Sequence, residues 1–147
     1  MPLKLRIITP ERVVFDEENI DSVTLPGILG EMTILPQHAP IMTELRAGPV
    51  LFRRAGEEVD LALSGGFMEV RDDTVIVLAD TAERSDEIDI ARAEEARRKA
   101  QEELSDRQGT VDIARAMAAL ERAQARVRVV DRRRRRPGGA PRPTANQ

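Results

Sequence analysis

Alternating apolar and polar residues characterise the first half of the chain. Leu3, Leu5 and Ile7 are separated by Lys4 and Arg6, which is the pattern of a strand with one buried face. Further short apolar runs follow at residues 13–15, 20–25, 32–35, 41–45, 50–53, 59–63, 67–70 and 74–78. Residues typical of turns, mainly proline, glycine and aspartate, separate these runs. The pattern predicts an antiparallel β-sandwich or barrel over residues 1–84.

The period of the pattern changes to that of a helix after Leu78. Asp86 or Asp89 can cap a first helix, whose apolar positions share one face: Ala93, Ala96, Ala100 and Leu104. Residues 105–109 interrupt the pattern, and Thr110 is a suitable N-cap for a second helix. The apolar seam of that helix comprises Ile113, Ala116, Leu120, Ala123, Val127 and Val130. Because a short connection favours antiparallel packing, residues 85–131 are predicted to form a C-terminal two-helix hairpin.

Both predicted seams are narrow and rich in alanine. Residues 88–93 (IDIARA) recur almost unchanged as residues 111–116 (VDIARA), so the two helices carry the same small residues. Burial of an alanine methyl contributes about 0.8 kcal/mol, and a leucine contributes roughly two to three times as much. We therefore expect the two helices to approach closely but to adhere weakly, so that the hairpin can be displaced.

The end of the chain differs from everything before it. Residues 132–136 are five consecutive arginines, and proline and glycine are frequent in the residues that follow. Such a segment lacks the apolar residues that a core needs. Residues 132–147 are therefore predicted to be a disordered basic tail.

Composition narrows the possible functions. The chain has 147 residues and no cysteine, which excludes disulfides, thiolate zinc sites and cysteine nucleophiles. No apolar run approaches the roughly 20 residues of a membrane span, and the first residues lack the apolar core of a signal peptide. A cytosolic location is expected. Residues 1–84 carry 8 basic and 15 acidic residues, whereas residues 85–147 carry 15 and 11, so the acidic front and the basic back are expected to be separate units.

Few residues suit catalysis. His38 is the single histidine, so that neither a zinc site nor a histidine pair is available. Ser64 precedes two glycines, but Ala62 occupies the first glycine position of a nucleophile elbow, and a tight turn is the preferred interpretation. Neither of the usual glycine-rich phosphate-binding motifs occurs. We expect no catalytic residue and no metal site.

The basic residues of the hairpin are more informative. At 100° per residue, Arg92 and Lys99 lie about 20° apart on the first helix, and Arg115, Arg122 and Arg126 lie within about 40° on the second. If the helices pack with the appropriate hand, both groups converge along one edge, where guanidinium groups suit a polyphosphate. The alternative is a solvated face in which these cations pair with glutamates of the same helix, at positions 95, 102 and 121. On spacing alone the solvated face is preferred.

Several blocks in the same order resemble the epsilon subunits of bacterial rotary (F-type) ATP synthases. They are residues 30–40 (GEMTILPQHAP), 63–70 (LSGGFMEV) and 77–84 (VLADTAER), followed by the motif I-D-x-x-R-A at residues 88–93. The resemblance extends over residues 1–131. It implies an α+β fold in which an antiparallel β-sandwich of about ten strands precedes a helical hairpin.

The resemblance also implies a function. Epsilon subunits are noncatalytic parts of the central stalk, where the sandwich binds the gamma subunit and rests on the polar loops of the c-ring. The segment containing Glu31 and His38 matches the ring-facing loop, in which Thr33 and Gln37 replace glycines that can adopt positive φ. When extended, the hairpin enters the alpha/beta catalytic head and restrains ATP hydrolysis. The implied location is the cytoplasmic face of the bacterial plasma membrane, as a peripheral subunit without a membrane span.

In some members the folded hairpin binds regulatory ATP, although no cofactor is required. By match, Glu83 and Asp89 are expected to contact the nucleoside, while Arg92, Arg122 and Arg126 are expected to contact the phosphates. Lys99 stands where those members often carry arginine, and it is expected to bind phosphate more weakly because it lacks the guanidinium fork. With the resemblance included, a nucleotide site becomes the preferred interpretation.

Two other classes of function remain as alternatives. A basic-tailed nucleic-acid-binding module would use residues 132–147 and bind in a strongly salt-dependent way. Three phenylalanines are the only aromatic residues, too few for a base-stacking surface, and no nucleic-acid partner is expected. A small hydrolase centred on Ser64 would need His38 as its general base.

Overall fold

The computed structural model describes residues 1–105 and 113–135, apart from the side chain of Arg134. Within these ranges the chain forms ten β-strands followed by two α-helices. The strands are β1 (Leu3–Ile8), β2 (Val13–Ile20), β3 (Ser22–Gly27), β4 (Gly30–Ile34), β5 (Ile41–Leu45), β6 (Gly48–Arg54), β7 (Glu57–Leu63), β8 (Gly66–Arg71), β9 (Thr74–Ala79) and β10 (Ala82–Arg84). The helices are α1 (Ile90–Ser105) and α2 (Ile113–Arg135). The predicted β-sandwich and helical hairpin are confirmed.

The strands enclose one apolar core. Hydrogen bonds join them in the order β10-β7-β6-β3-β5-β8-β9-β1-β2, and β4 pairs with β3. All pairs are antiparallel except β1 and β9, which run parallel from Lys4 opposite Thr74 to Ile8 opposite Leu78. This parallel pair joins the first strand to the ninth, a long-range contact that a local pattern does not predict. The largest side chains of the core include Leu3, Leu5, Ile7, Ile20, Leu25, Phe52, Leu61 and Met68.

Asp89 caps α1. Its Oδ1 accepts hydrogen bonds from the backbone N–H groups of Ala91, at 3.1 Å, and Arg92, at 3.3 Å. These two donors have no partner within the helix, so the carboxylate satisfies them. Asp86, the other predicted cap, instead forms an ion pair with Arg84 at 3.5 Å.

Replacement of the cap should loosen the start of α1. We expect Asp89→Ala to destabilise the first turn by about 0.5–2 kcal/mol, because two backbone donors lose their acceptor. Hydrogen exchange at the amides of Ala91 and Arg92 measures this effect. Asp86→Ala is the matched control and should leave both amides as protected as in the parent protein. Equal deprotection by the two substitutions would contradict the assignment of the cap.

The predicted alanine seams meet between the helices. Ala93 and Ala100 on α1, and Ala116 and Ala123 on α2, are buried where the helices pack together. The prediction is wrong for Ile113, whose side chain is 64% exposed, because it lies in the first turn of α2 at the open end of the hairpin. The other seam positions are buried or half-buried: Ala96, Leu104, Leu120, Val127 and Val130.

A second buried face on α2 attaches the hairpin to the sandwich. Ala125 and Val129 are fully buried, although they lie roughly 150–170° around the helix from the middle of the seam. On this side α2 packs over β6 and β7. Leu51 and Ala62 of these strands are buried without belonging to the sandwich core. α2 is therefore held between α1 and the sandwich, whereas α1 buries only small side chains, Ala93 and Ala100.

The helical region is longer than the sequence pattern predicted. α2 continues to Arg135, so the prediction of a disordered tail beginning at residue 132 is wrong for residues 132–135. Arginine is a good helix former, and cations near a helix C-terminus interact favourably with its dipole. Residues 136–147 and the predicted helix break and Thr110 cap lie outside the described residues. None of the helices in the described ranges combines the length and apolar character that a membrane crossing requires.

Candidate functional site

A cavity of about 570 Å³ lies where the hairpin meets the edge of the sandwich. This volume falls within the range of roughly 300–1,000 Å³ that is typical of small-molecule sites. Five of the six residues predicted to bind nucleotide line the cavity: Glu83, Asp89, Arg92, Lys99 and Arg126. Residues more than 40 positions apart in the sequence thus share one site.

Three elements contribute these side chains. Glu83 lies on β10, which pairs with β7 at the edge of the sheet. Asp89 caps α1, and Arg92 and Lys99 follow on that helix, two turns apart on the same face. Arg126 comes from α2. The site therefore exists only while the hairpin lies against the sandwich.

Arg126 and Glu83 form a bidentate ion pair in the lining of the cavity. The guanidinium Nε donates to Oε2 at 3.1 Å, and Nη2 donates to Oε1 at 2.5 Å. The two side chains are 31% and 34% exposed, so the pair is shielded more than an ordinary surface ion pair. Such a fork fixes the orientation of both groups and joins α2 to β10. The Nε/Nη2 edge of the Arg126 guanidinium is thus already occupied by a carboxylate.

The predicted convergence of basic residues is present only in part. Arg122 is half-buried on α2 but does not line the cavity, and Arg115 does not line it either. The cations that face the cavity are Arg92, Lys99 and Arg126. The role of Arg122 toward phosphate stays a prediction.

Two cations of α1 also form the ion pairs with glutamates of the same helix that the solvated-face interpretation predicts. Lys99 Nζ lies 3.5 Å from Glu95 Oε1, and Arg98 Nη1 lies 2.8 Å from Glu102 Oε1, both within α1. The first pair faces the cavity and the second does not. The two interpretations of the basic residues are therefore not exclusive.

Five further residues of the cavity were not predicted as site residues, and two of them, Ala93 and Ala96, were predicted only as seam residues of α1. The other three are Glu87, Ile88 and Glu95. Ile88 opens the I-D-x-x-R-A motif, so the motif itself signalled its position. Glu95 was interpreted only as a helix partner of a neighbouring cation. Glu87 has no signal in the sequence, because it lies in the non-helical segment between β10 and α1.

The loop that matches the ring-facing segment has a defined conformation. Gln37 adopts φ 64°, the left-handed conformation that glycine favours, and its backbone N–H donates to Asp73 Oδ1 at 2.6 Å. Thr33 lies in β4, and its hydroxyl is 2.9 Å from that of Thr24. The replacement of glycine by Gln37 thus retains the left-handed backbone. Glu31 and His38 are exposed and half-buried, respectively, and their predicted contacts with a c-ring remain predictions.

The Ser64 hydroxyl is hydrogen-bonded to the backbone of a neighbouring turn. Its Oγ accepts a hydrogen bond from the backbone N–H of Thr81 at 2.8 Å and donates to the Thr81 carbonyl at 3.3 Å. These bonds join the β7–β8 turn to the β9–β10 turn. Among the described residues, no three histidine, aspartate or glutamate side chains come together as metal ligands.

Family models match nearly the whole described chain. The β-sandwich domain of the ATP synthase delta/epsilon chain matches residues 2–85, and the long α-helix domain of the same family matches residues 86–131. An ATP synthase epsilon chain of Dehalococcoides mccartyi is 52% identical over 136 residues, covering 92% of this chain and 96% of that relative. An epsilon chain of Herpetosiphon aurantiacus is 49% identical over 136 residues, covering 92% and 99%.

A solved structure supports the same fold. A chain in the cryo-EM structure of the Euglena gracilis mitochondrial ATP synthase, which contains OSCP, F1 and the c-ring, is similar with a TM-score of 0.75 and 23% identity. The similarity covers 84% of this chain and 78% of that one. From the family models and the curated relatives, the chain belongs to the family of ATP synthase epsilon chains, which are noncatalytic subunits of that enzyme.

Proposed function

We propose that this epsilon chain is a rotor subunit of a proton-translocating ATP synthase, in which the sandwich connects gamma to the c-ring and the hairpin restrains ATP hydrolysis in response to ATP. The observation that carries this proposal is the cavity of about 570 Å³ that the hairpin forms with the sandwich edge. A ligand that fills it contacts β10, α1 and α2 together. Such a ligand favours the arrangement in which the hairpin lies against the sandwich, which we call the parked state.

ATP has the chemistry that the cavity suits. Arg92 and Lys99 lie on one face of α1 and can contact a phosphate chain. Glu83 and Asp89 line the same cavity, and their carboxylates can accept hydrogen bonds from a nucleoside. Arg126 contributes a third cation, although Glu83 already holds two of its nitrogens.

α1 is suited to movement because its buried side chains are small, whereas α2 is also attached to the sandwich through Ala125 and Val129. Ala93 and Ala100 are the buried residues of α1, and each alanine methyl contributes only about 0.8 kcal/mol. A ligand shifts an equilibrium only by its differential affinity for the two states. At about a hundred times its dissociation constant, ATP would favour the parked state by roughly 2.7 kcal/mol.

A surface of the sandwich other than the one that α2 covers suits protein partners. Met42, Phe67 and Leu78 are large apolar side chains that are exposed on neighbouring strands β5, β8 and β9. Exposed apolar patches on folded domains mark protein interfaces, which supports docking of gamma there. The exposed Leu29 at the β3–β4 turn and the loop containing His38 remain available to the c-ring. The alpha/beta head is the partner of the extended hairpin, and this chain is a peripheral subunit of the complex, on the cytoplasmic face of the bacterial plasma membrane.

Removal of the hairpin tests its regulatory role. We expect an ATP synthase reconstituted with the chain truncated after Ser85 to assemble, to remain coupled and to hydrolyse ATP faster, because no arm obstructs rotation. Hydrolysis rates and proton pumping in membrane vesicles measure this. Truncation after Arg135 is the control and should leave the inhibition in place. Loss of assembly, or hydrolysis equal to that of the full chain, would contradict the proposed division of roles.

A further inference from the structure

The cations of the cavity differ in their availability to a ligand. Arg126 is held by Glu83, as described above, and Lys99 is held by Glu95 at 3.5 Å. Arg92 forms no ion pair within the described part of the chain. A phosphate chain that enters the cavity therefore meets one available guanidinium and two cations that carboxylates already engage.

Glu95 has a position that the other acidic residues of α1 lack. It lies one turn before Lys99, so the two side chains meet along the helix in the favourable Glu-to-Lys order. It also lines the cavity itself. Its carboxylate therefore competes with phosphate oxygens for the Lys99 ammonium, in the space that the phosphates would occupy.

We infer that Glu95 is a positioning residue that lowers the nucleotide affinity of this site by holding Lys99. This inference rests on the proposed nucleotide site. The Glu95 and Lys99 side chains are 56% and 64% exposed, so their pair contributes little to the stability of the fold. Its main consequence is for a ligand, because the Glu95 carboxylate beside Lys99 competes with an incoming anion for the ammonium donors.

Calorimetric titration of the full chain with ATP tests the inference. We expect Glu95→Gln to lower the dissociation constant about three- to fivefold, because the substitution releases Lys99. Glu102→Gln is the matched control. It removes a carboxylate that pairs with Arg98 at 2.8 Å on the same helix but lies outside the cavity, and it should leave the affinity unchanged.

A double substitution separates an effect that acts through Lys99 from direct repulsion between the Glu95 carboxylate and the phosphates of ATP. In a Lys99→Gln background, the gain from Glu95→Gln should fall below about twofold, because the two effects are coupled. A full gain in that background would overturn the positioning role. An unchanged or weaker affinity of Glu95→Gln, with the parent chain still binding ATP, would overturn the inference and leave the site intact. Absence of binding at millimolar ATP in all variants would overturn the proposed site and this inference together.

Discussion

Arg92→Ala should lower the ATP affinity of the isolated chain about 10- to 150-fold. Arg92 is the cation of the cavity that no carboxylate engages in the described residues, so its guanidinium is the one most available to phosphate. Hydrogen bonds to charged groups contribute roughly 1.5–3 kcal/mol, which corresponds to this range. Calorimetric titration with ATP measures the change.

Arg98→Ala is the control for this prediction. Arg98 lies on α1 and pairs with Glu102, but it does not line the cavity, so its removal should leave the affinity unchanged. Arg126→Ala should also weaken binding, and in addition it should increase hydrogen exchange along α2, because Glu83 loses its partner. Equal affinities of Arg92→Ala and the parent chain would contradict the assignment of Arg92 to the phosphates.

Gly66→Ala should have the largest effect on stability, a loss of about 3–5 kcal/mol. Gly66 has φ 147°, and a Cβ there would lie 2.0 Å from the carbonyl oxygen of Leu78 and 2.9 Å from Cα of Ala79. Both atoms belong to the backbone of β9, so β8 and β9 must separate locally. The expected loss combines backbone strain with overpacking. Denaturant unfolding followed by circular dichroism measures it.

Gly30→Ala separates the two causes. Gly30 has φ 141°, close to that of Gly66, but a Cβ there meets no atom within 4 Å. Its substitution should therefore cost only the backbone strain, about 1–3 kcal/mol. If both substitutions cost the same, the close approach of β8 to β9 would not explain the need for glycine at position 66.

Features with a local signal could be predicted from the sequence. The alternation of Leu3, Leu5 and Ile7 corresponds to the buried face of β1, because the period of two is a property of the strand itself. The change to a helical period located the hairpin. Asp89 was one of two possible caps, and only the three-dimensional contacts distinguish it from Asp86.

Features that depend on distant elements could not be predicted in the same way. Ala125 and Val129 lie outside the single apolar seam of α2, and their burial results from the packing of α2 on β6 and β7. The parallel pairing of β1 with β9 likewise joins segments from opposite ends of the sandwich. Neither contact leaves a periodic pattern along the chain.

The candidate site lies between these two cases. The helical periods placed Arg92 with Lys99 and Arg122 with Arg126, and the resemblance added Glu83 and Asp89. The bidentate contact between Glu83 and Arg126 depends on the docking of α2 against β10, so spacing within either segment does not predict it. For the same reason the absence of Arg122 from the lining follows only from the docked geometry.

The central claim is that ATP favours the parked hairpin, and a distance measurement in the assembled complex tests it most directly. The chain has no cysteine, so Glu57→Cys on the sandwich and Ala118→Cys on α2, both at exposed positions, give a unique pair of spin-label sites in an otherwise cysteine-free ATP synthase. We predict one short distance at saturating ATP, and an additional longer distance when ATP is removed. A single short distance in both conditions would contradict a mobile, ATP-sensing arm.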